Sequence, residues 1–279
     1  MSGHHAVSLL LAGLPGAMCR EVLAAACECP APGAFRFLPV TLTSEGRRGT
    51  SISIHGHRFV ALTPSMRDGF ALESFGGAAV AVDFSTPHTA VDNARWYCAR
   101  GIPFVMGTTG FDRREVERLV SASTTCAVVA ANMAAPLVAL QAALEWAAGE
   151  FPGALAGLRA SITESHQAAK RDKSGTARAW MRELARLGAE EAGEAGISSV
   201  RDPARQRALG VPEAHLGGHA LHDVALESAA GDLALGWRTR VLGRRVYAEG
   251  ALRAAVFLAA RADASAAGRV FTMADVLRG

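Results

Sequence analysis

Residues 7–28 read VSLLLAGLPGAMCREVLAAACE, and their reading decides the fold class. Val7–Ala12 is a short, unbroken apolar run of the kind found in strands buried on both faces. Glycines 13 and 16 then punctuate a turn, and Met18, Val22, Leu23 and Cys27 fall at helical spacing. A strand, a glycine turn and a helix in direct succession open a dinucleotide-binding unit. The glycines let backbone approach a pyrophosphate, and the helix start offers N–H donors and a partial positive charge. A ligand-free strand–helix turn has the same pattern, so the other strand ends must decide between the two.

Outward from this unit the alternation continues. Phe35–Leu42 reads as a second strand, with short strands around Ser51–His55 and at Phe59–Leu62. Ala78–Phe84 is another buried strand, ending in Ser85-Thr86-Pro87. A helix from about Thr89 to Arg100 leads to a strand at Pro103–Met106, which stops at GTTGF (107–111). Asp112 is the expected cap of the next helix, with Glu115 as its capping-box partner. Ala127–Ala131 is one more strand, ending at Asn132-Met133. Strands alternating with helices predict a Rossmann-like α/β fold with a doubly wound parallel sheet. Such sheets bind ligands at the carboxyl ends of their strands. Candidate cofactor contacts are therefore Gly13, Leu14, Pro15, Gly16, Ala17 and Met18, then Gly107, Thr108 and Thr109, then Ala130, Ala131, Asn132 and Met133, with Asp83–Pro87 on the same rim.

The rhythm changes near residue 134. A helix is expected from about Pro136 to Glu150. Leu158, Ala160 and Ile162 then alternate with Arg159, Ser161 and Thr163, a half-buried strand that delivers Glu164-Ser165-His166. Ala177, Trp180, Met181, Leu184 and Leu187 form one helical face. Asp223–Ser228 and Leu233–Val241 read as antiparallel strands of an open, mixed sheet, and Gly250–Arg261 as an amphipathic helix. The expected division is 1–133, completed by 250–279, and a second α+β domain over 134–249.

The 29 basic residues are 27 arginines and only two lysines, and both lysines lie in SHQAAKRDKSGTA (165–177). His166 can act as acid or base near neutral pH. Lys170 follows four residues later, and Ser174-Gly175-Thr176 opens a helix. That helix start combines N–H groups, a hydroxyl and the dipole with a nearby ammonium, which suits a carboxylate-bearing substrate. Each of these residues alone would read as a solvated loop group; it is their concentration in one loop that points to a site.

Composition narrows the remaining classes. Half the residues are apolar, and a net charge of +3 is too small to argue for nucleic acid. Five cysteines form no CxxC pair, which suggests reduced thiols in an intracellular protein. His4–His5 and His55/His57 lack partners at ligand spacing, so no metal site is expected. The run AVSLLLAGL resembles a short secretory segment, but no basic residue precedes it and a glycine turn follows at once. No apolar run reaches membrane-spanning length, and the protein reads as soluble.

GLPGAM, VDFSTP, PFVMGTTGFD, FPGALAG, ESHQAAKRDKSGTA, RDPARQRALGVPEAHLGGHALH, YAEGAL and FTMADVLR span the chain in order. In these motifs the sequence resembles the 4-hydroxy-tetrahydrodipicolinate reductase (dihydrodipicolinate reductase) family of the diaminopimelate route to lysine, and its plant-type variant most. The resemblance implies a nucleotide domain and a substrate domain whose open sheet mediates homo-oligomerisation, as a dimer or a tetramer. It implies a small dicarboxylate substrate, His166 as acid/base, Lys170 as proton donor, and Gln167, Ser174, Gly175 and Thr176 as substrate contacts. The compartment would be the cytoplasm, or the plastid stroma if a transit peptide has been trimmed. A different dehydrogenase acting on an amino or keto diacid would use the same architecture, and a silent nucleotide-binding module would have lost the histidine–lysine pair.

Three departures from the family pattern stand out. Cys19 replaces the usual last glycine of the cofactor loop, which predicts looser helix–sheet packing. Gln167 replaces a second histidine, and the loop before Ser174 is one residue shorter, leaving Lys173 unmatched. Thr43-Ser44-Glu45-Gly46-Arg47-Arg48 after the second strand predicts a modest preference for NADPH, with NADH also accepted.

Overall fold

The computed structural model describes residues 6–31, 33–67, 69–70, 79–261 and 264–279. In chain order it forms β1 (Val7–Ala12), α1 (Ala17–Cys27), β2 (Phe35–Leu42), β3 (Ser51–Ile54), β4 (His57–Leu62), β5 (Ala79–Asp83), α2 (Pro87–Ala99), β6 (Phe104–Met106), α3 (Arg113–Ser121) and β7 (Ala127–Val129). Then come α4 (Ala135–Glu150), β8 (Leu158–His166), α5 (Gly175–Arg186), β9 (Ile197–Val200), α6 (Pro203–Ala208), β10 (His219–Ser228) and β11 (Ala234–Leu242). The chain closes with α7 (Arg245–Ala259), β12 (Val270–Phe271) and α8 (Met273–Arg278). Two compact units result: residues up to Ala135 together with Arg245–Gly279, and Pro136–Arg244.

The first unit is built on an eight-stranded sheet in the order β12-β7-β6-β5-β1-β2-β4-β3. Every neighbouring pair is parallel except the β3–β4 hairpin at one edge. Leu10 and Ala12 of β1 join a cluster with Ala90, Ala94 and Tyr97 of α2 and Val116 and Val120 of α3. Leu9 and Leu11 are equally buried and alternate to the other face, which α7 covers with α1 packed beside it. Each leucine taken out of water in this way contributes roughly 2 kcal/mol before entropy is counted. The chain winds to one side of β1 through β2 and to the other through β5, so the sheet reverses its winding between β1 and β5. This is where open α/β sheets open a crevice.

Several local expectations are corrected here. The strand expected through His55 stops at Ile54, because His55 (φ 49°) and Gly56 (φ 76°) form the tight turn of the hairpin. His57 packs edge-on against Phe37 and lies 3.6 Å from Cys27 Sγ. Asp112 does cap α3, accepting from Glu115 N at 3.2 Å, but the Glu115 carboxylate pairs with Arg118 instead of closing the box. A complete capping box is formed by Thr272 and Asp275 at the start of α8. The last long helix starts at Arg245, five positions before Gly250, where Arg245 pairs with Glu249 one turn on and with Glu28, the C-cap of α1. Cys19 does not loosen the packing: it is fully buried and its thiol donates to Ala12 O at 3.0 Å. His4–His5 lie outside the described residues.

The second unit has a four-stranded sheet in the order β11-β10-β8-β9. β8, β10 and β11 run antiparallel, while β9 joins β8 in parallel, so the sheet is mixed. Register sets Glu164 opposite His222 and His166 opposite Ala220. α5 lays Ala177, Trp180, Met181 and Leu184 into the core of this unit. Trp180 touches the His222 ring edge-on. Among the described residues no helix is long and apolar enough to cross a membrane.

Candidate active site

In the first unit, the carboxyl ends of β1, β2 and β5 and the first turns of α2 enclose a cleft of about 410 Å³. Gly13, Leu14, Pro15 and Gly16 form one wall. Gly13 has φ 114°, and a Cβ there would stand 2.7 Å from Phe84 O. At Gly16 a Cβ would meet Gly13 O at 2.7 Å. Only glycine lets the turn fold this tightly, and the result is a backbone cradle. α1 starts on it with no side-chain cap and no acidic residue in its first turn, so its N–H donors are left to an anionic ligand. These features fit the pyrophosphate of a dinucleotide.

The opposite wall is held by a buried polar network. Asp83, fully buried at the end of β5, accepts from Ser85 N (2.9 Å) and Thr108 Oγ1 (3.4 Å) on one oxygen, and from Asn93 Nδ2 (2.8 Å) and Tyr97 OH (2.9 Å) on the other. Burial, then the Asp83 charge, pushes the Tyr97 phenol well above its usual range and keeps it a donor. Asn93 Oδ1 in turn accepts from Arg67 Nη2 at 2.6 Å. One carboxylate thereby fixes the loops that leave β5 and β6. Arg67 and Asn93 carry no motif signal in the sequence; only the fold brings them to the cleft.

Thr43, Ser44 and Arg47 line the cleft as well. Glu45 does not: its carboxylate accepts from Ser65 N (2.6 Å) and Ser65 Oγ (3.0 Å). These bonds hold it below the usual carboxylate range. Ala17 and Met18 form the first turn of α1. Gly107, Thr108 and Thr109 follow β6, and Ala130, Ala131, Asn132 and Met133 follow β7, on the same carboxyl edge of the sheet but outside this cleft. The Phe84 ring covers Gly107, where a Cβ would lie 2.1 Å from Phe84 Cε1.

In the second unit, β8 ends in a cluster of polar groups. Glu164 is fully buried; its Oε1 accepts from Arg201 Nη2 (2.6 Å) and Ser199 Oγ (2.8 Å), and its Oε2 from Ser174 N (2.8 Å). Burial opposes its ionisation, but these three donors prevail and hold it below the usual carboxylate range. His166 Nε2 is buried without a hydrogen-bond partner, 3.9 Å from Glu164 Oε2. Burial pushes His166 down to about 4, with Glu164 pulling upward and Arg201 and Lys170 adding to the fall. His222 is likewise pushed down to about 4, by burial first. Both imidazoles are therefore neutral at pH 7, so that His166 has one ring nitrogen that donates a hydrogen bond and one that can accept a hydrogen bond or a proton.

Ser174-Gly175-Thr176 opens α5 as expected. Ser174 is the N-cap of α5: its Oγ accepts from Thr176 N (3.1 Å) and Ala177 N (3.4 Å), and faces His222 Nε2 at 3.0 Å. With both lone pairs used, its proton goes to the neutral His222. Among the described residues this leaves the Gly175 N–H and the Thr176 hydroxyl as unclaimed donors at the helix start. Gln167 is half-buried. Lys170 Nζ donates to Asp172 Oδ1 at 2.8 Å, whereas Lys173 Nζ donates to the carbonyl of Glu194. The acidic and histidine side chains of Glu164, His166 and His222 could group around a metal ion. Their ligand atoms are instead committed to Arg201, Ser199 and Ser174, apart from His166 Nε2.

Comparison with known proteins gives these two sites a family. The N-terminal model of dihydrodipicolinate reductase matches residues 7–133, and its C-terminal model matches 137–277. The chain is 35% identical over 275 residues to 4-hydroxy-tetrahydrodipicolinate reductase 1, chloroplastic, of Arabidopsis thaliana, covering 98% of this chain and 78% of that one. Among solved structures, a dipicolinate-bound dihydrodipicolinate reductase from a Paenisporosarcina species superposes with TM-score 0.62 at 18% identity, over 96% of this chain and 97% of that one. An engineered D-amino acid dehydrogenase bound to NADP+ shares the fold at TM-score 0.51 and 12% identity, over 96% and 93% of the two chains. With both halves of the model matched across nearly its whole length, the protein belongs to the dihydrodipicolinate reductase family.

Proposed function

We propose that Lys170 donates the proton and that Gly175 and Thr176 hold a substrate carboxylate in the reaction of this family. That reaction is the reduction of 4-hydroxy-tetrahydrodipicolinate, by way of dihydrodipicolinate, to tetrahydrodipicolinate on the diaminopimelate route to lysine. The single observation that carries the assignment is the end of β8, where Glu164 and its partners gather His166, Lys170 and the α5 helix start. A bound reduced nicotinamide supplies the hydride to C4 of the unsaturated ring. As hydride adds at C4, the double-bond electron pair shifts away from C4 into the ring, and Lys170 delivers the proton that this pair takes up, becoming a neutral amine; a guanidinium does not give up a proton in this way. His166, neutral and desolvated, orients the substrate or takes the proton of an ordered group. Gln167 adds an uncharged contact to the second carboxylate. The Gly175 N–H, the Thr176 hydroxyl and the dipole of α5 fix the first carboxylate.

Coenzyme contacts are Gly13, Leu14, Pro15, Gly16, Ala17 and Met18 at the pyrophosphate, with Gly107–Thr109 and Ala130–Met133 toward the nicotinamide. NADPH is preferred, because Glu45 is turned to Ser65 while Thr43, Ser44 and Arg47 face the cleft. A 2′-phosphate there meets hydroxyls and a guanidinium rather than a carboxylate. The chain works as a homo-oligomer through the edge strand β11, where Leu235, and Leu233 just before the strand, are half exposed. The compartment is the cytoplasm or a plastid.

The test is substrate-dependent NADPH oxidation with substrate formed in place from pyruvate and aspartate semialdehyde. Thr176→Val is expected to raise the substrate KM about tenfold, as for a lost hydrogen bond to a charged group. Its NADPH Kd should not move. Because Ser174 is the cap, little stability should be lost; unchanged KM would remove Thr176 from the substrate site.

A further inference from the structure

Nothing in the reaction described so far uses Arg201, yet no other side chain of the second unit ties so many parts of the site together. It follows β9 directly, 31 residues beyond Lys170, and its side chain is about four-fifths buried. Nε donates to Lys170 O at 2.9 Å, and Nη1 donates to Val200 O at 3.1 Å. Nη2 serves two acceptors, Glu164 Oε1 at 2.6 Å and Asp172 O at 3.2 Å. The other oxygen of the same carboxylate holds Ser174 N. The stretch from His166 to Ser174 has few regular hydrogen bonds of its own, chiefly the turn from Lys170 N to Gln167 O. It is held from outside: at His166 O by the buried Gln206, at Lys170 O and Asp172 O by Arg201, and at Ser174 N by Glu164.

We propose that Arg201 is a positioning residue for Lys170: joined to buried Glu164, its guanidinium fixes the donor loop at a set distance from the Ser174–Thr176 anion site. The residue type follows from the geometry. Four acceptors surround one side chain, and the five N–H groups of a rigid guanidinium fork reach them together. An ammonium at this place keeps the charge beside Glu164 but cannot also span Lys170 O and Asp172 O. A donor displaced by about 1 Å loses much of its rate advantage even though its chemistry is intact.

This rests on the assignment of Lys170 as proton donor, and a double-mutant cycle separates the two claims. Arg201→Lys is expected to lower kcat about tenfold, with substrate KM and NADPH Kd within threefold of the parent. In a Lys170→Arg background the same change should cost less than twofold, because a brace has no effect once the donor is gone. A tenfold loss in both backgrounds, or parent-like kcat in Arg201→Lys, overturns the brace. Parent-like kcat in Lys170→Arg overturns the donor assignment instead. If Arg201→Lys no longer binds NADPH, the pair Glu164→Gln with Arg201→Gln removes both charges together, and its kcat loss must again vanish in the Lys170→Arg background for the proposal to stand.

Discussion

At the carboxyl end of β1 the groups presented to a ligand belong to the backbone: two glycines and the uncapped N–H donors of α1. At the end of β8 the groups proposed to meet substrate are side chains, a histidine, a lysine and a threonine, beside a second layer of buried side chains. The start of α5 shows the same contrast, since Ser174 already takes two of its N–H groups and leaves one N–H and one hydroxyl. A backbone cradle recognises phosphate through shape and dipole. A site that must move a proton needs a titratable group, and such a group needs its surroundings built by residues far away in sequence. The first kind of site should therefore fail by steric intrusion, and the second by small losses of chemistry or placement.

The largest expected effect is at the proposed donor. Lys170→Arg keeps the charge and the attraction for a dicarboxylate but removes a proton that can leave at working pH. Its kcat should fall roughly 100-fold or more, as for a lost general acid, with NADPH binding unchanged. Steady-state kinetics with a coenzyme-binding control measures this. Near-parent kcat would mean the side-chain site does not work through Lys170.

This contrast also explains how much could be read from the chain. The strands and helices of the first unit are local patterns, and GLPGAM announces its cradle within six residues. Ser174 caps α5, and its Oγ also meets His222 Nε2, 48 residues away, a contact that no local pattern announces. Arg201 and Glu164 are 37 residues apart, and no periodicity links them. Glu45 was ambiguous for the same reason: only its bonds to Ser65 show that it faces away from the cleft. Cys19 looked too large for its place because a thiol's bond to the Ala12 carbonyl cannot be seen in sequence.

Next in size is an effect of pH on the second unit. His166 and His222 are each held down to about 4 by burial, whereas in the unfolded chain they titrate near 6.5. As pH falls, the unfolded state binds protons first. Stability present above about pH 6.5 is therefore lost progressively toward pH 4, on the order of 2 kcal/mol per imidazole by pH 5. Histidine Cε1 resonances followed by NMR should show both rings neutral at pH 5.5. A midpoint near 6.5 for either ring would show that its surroundings are wetter than the geometry implies.

A smaller effect tests the cradle. Gly107 has an ordinary backbone angle, so Gly107→Ala adds no strain of its own, but its methyl must push the Phe84 ring, which lines the cleft. NADPH Kd should rise about tenfold, roughly the energy of one lost contact layer in a binding site. Substrate KM should stay put, since the second unit is untouched. Thermal unfolding checks that the fold survives. If coenzyme affinity is unchanged, the ring has room to move elsewhere and the cleft is less tightly defined than the backbone suggests.

The smallest expected effect belongs to the other lysine, and it sharpens the comparison most. Lys173 stands three positions from Lys170 and carries the same charge, so an account based on electrostatic attraction alone would treat the two alike. Their contacts differ. Lys170 Nζ meets the exposed Asp172 carboxylate, and its own carbonyl is gripped by Arg201, while Lys173 Nζ is spent on the carbonyl of Glu194. That bond needs only a donor of about the right length, and the neighbouring Arg178–Glu194 pair holds the same turn independently. Lys173→Arg should therefore leave kcat and substrate KM within twofold, as expected for an exposed hydrogen bond and a charge that guanidinium reproduces. Measured beside Lys170→Arg in the same assay, the ratio of the two kcat values should be 50 or more, roughly the contribution of one general acid. Equal losses would mean that the loop acts through its summed charge, and the division of labour drawn from its geometry would have to be given up.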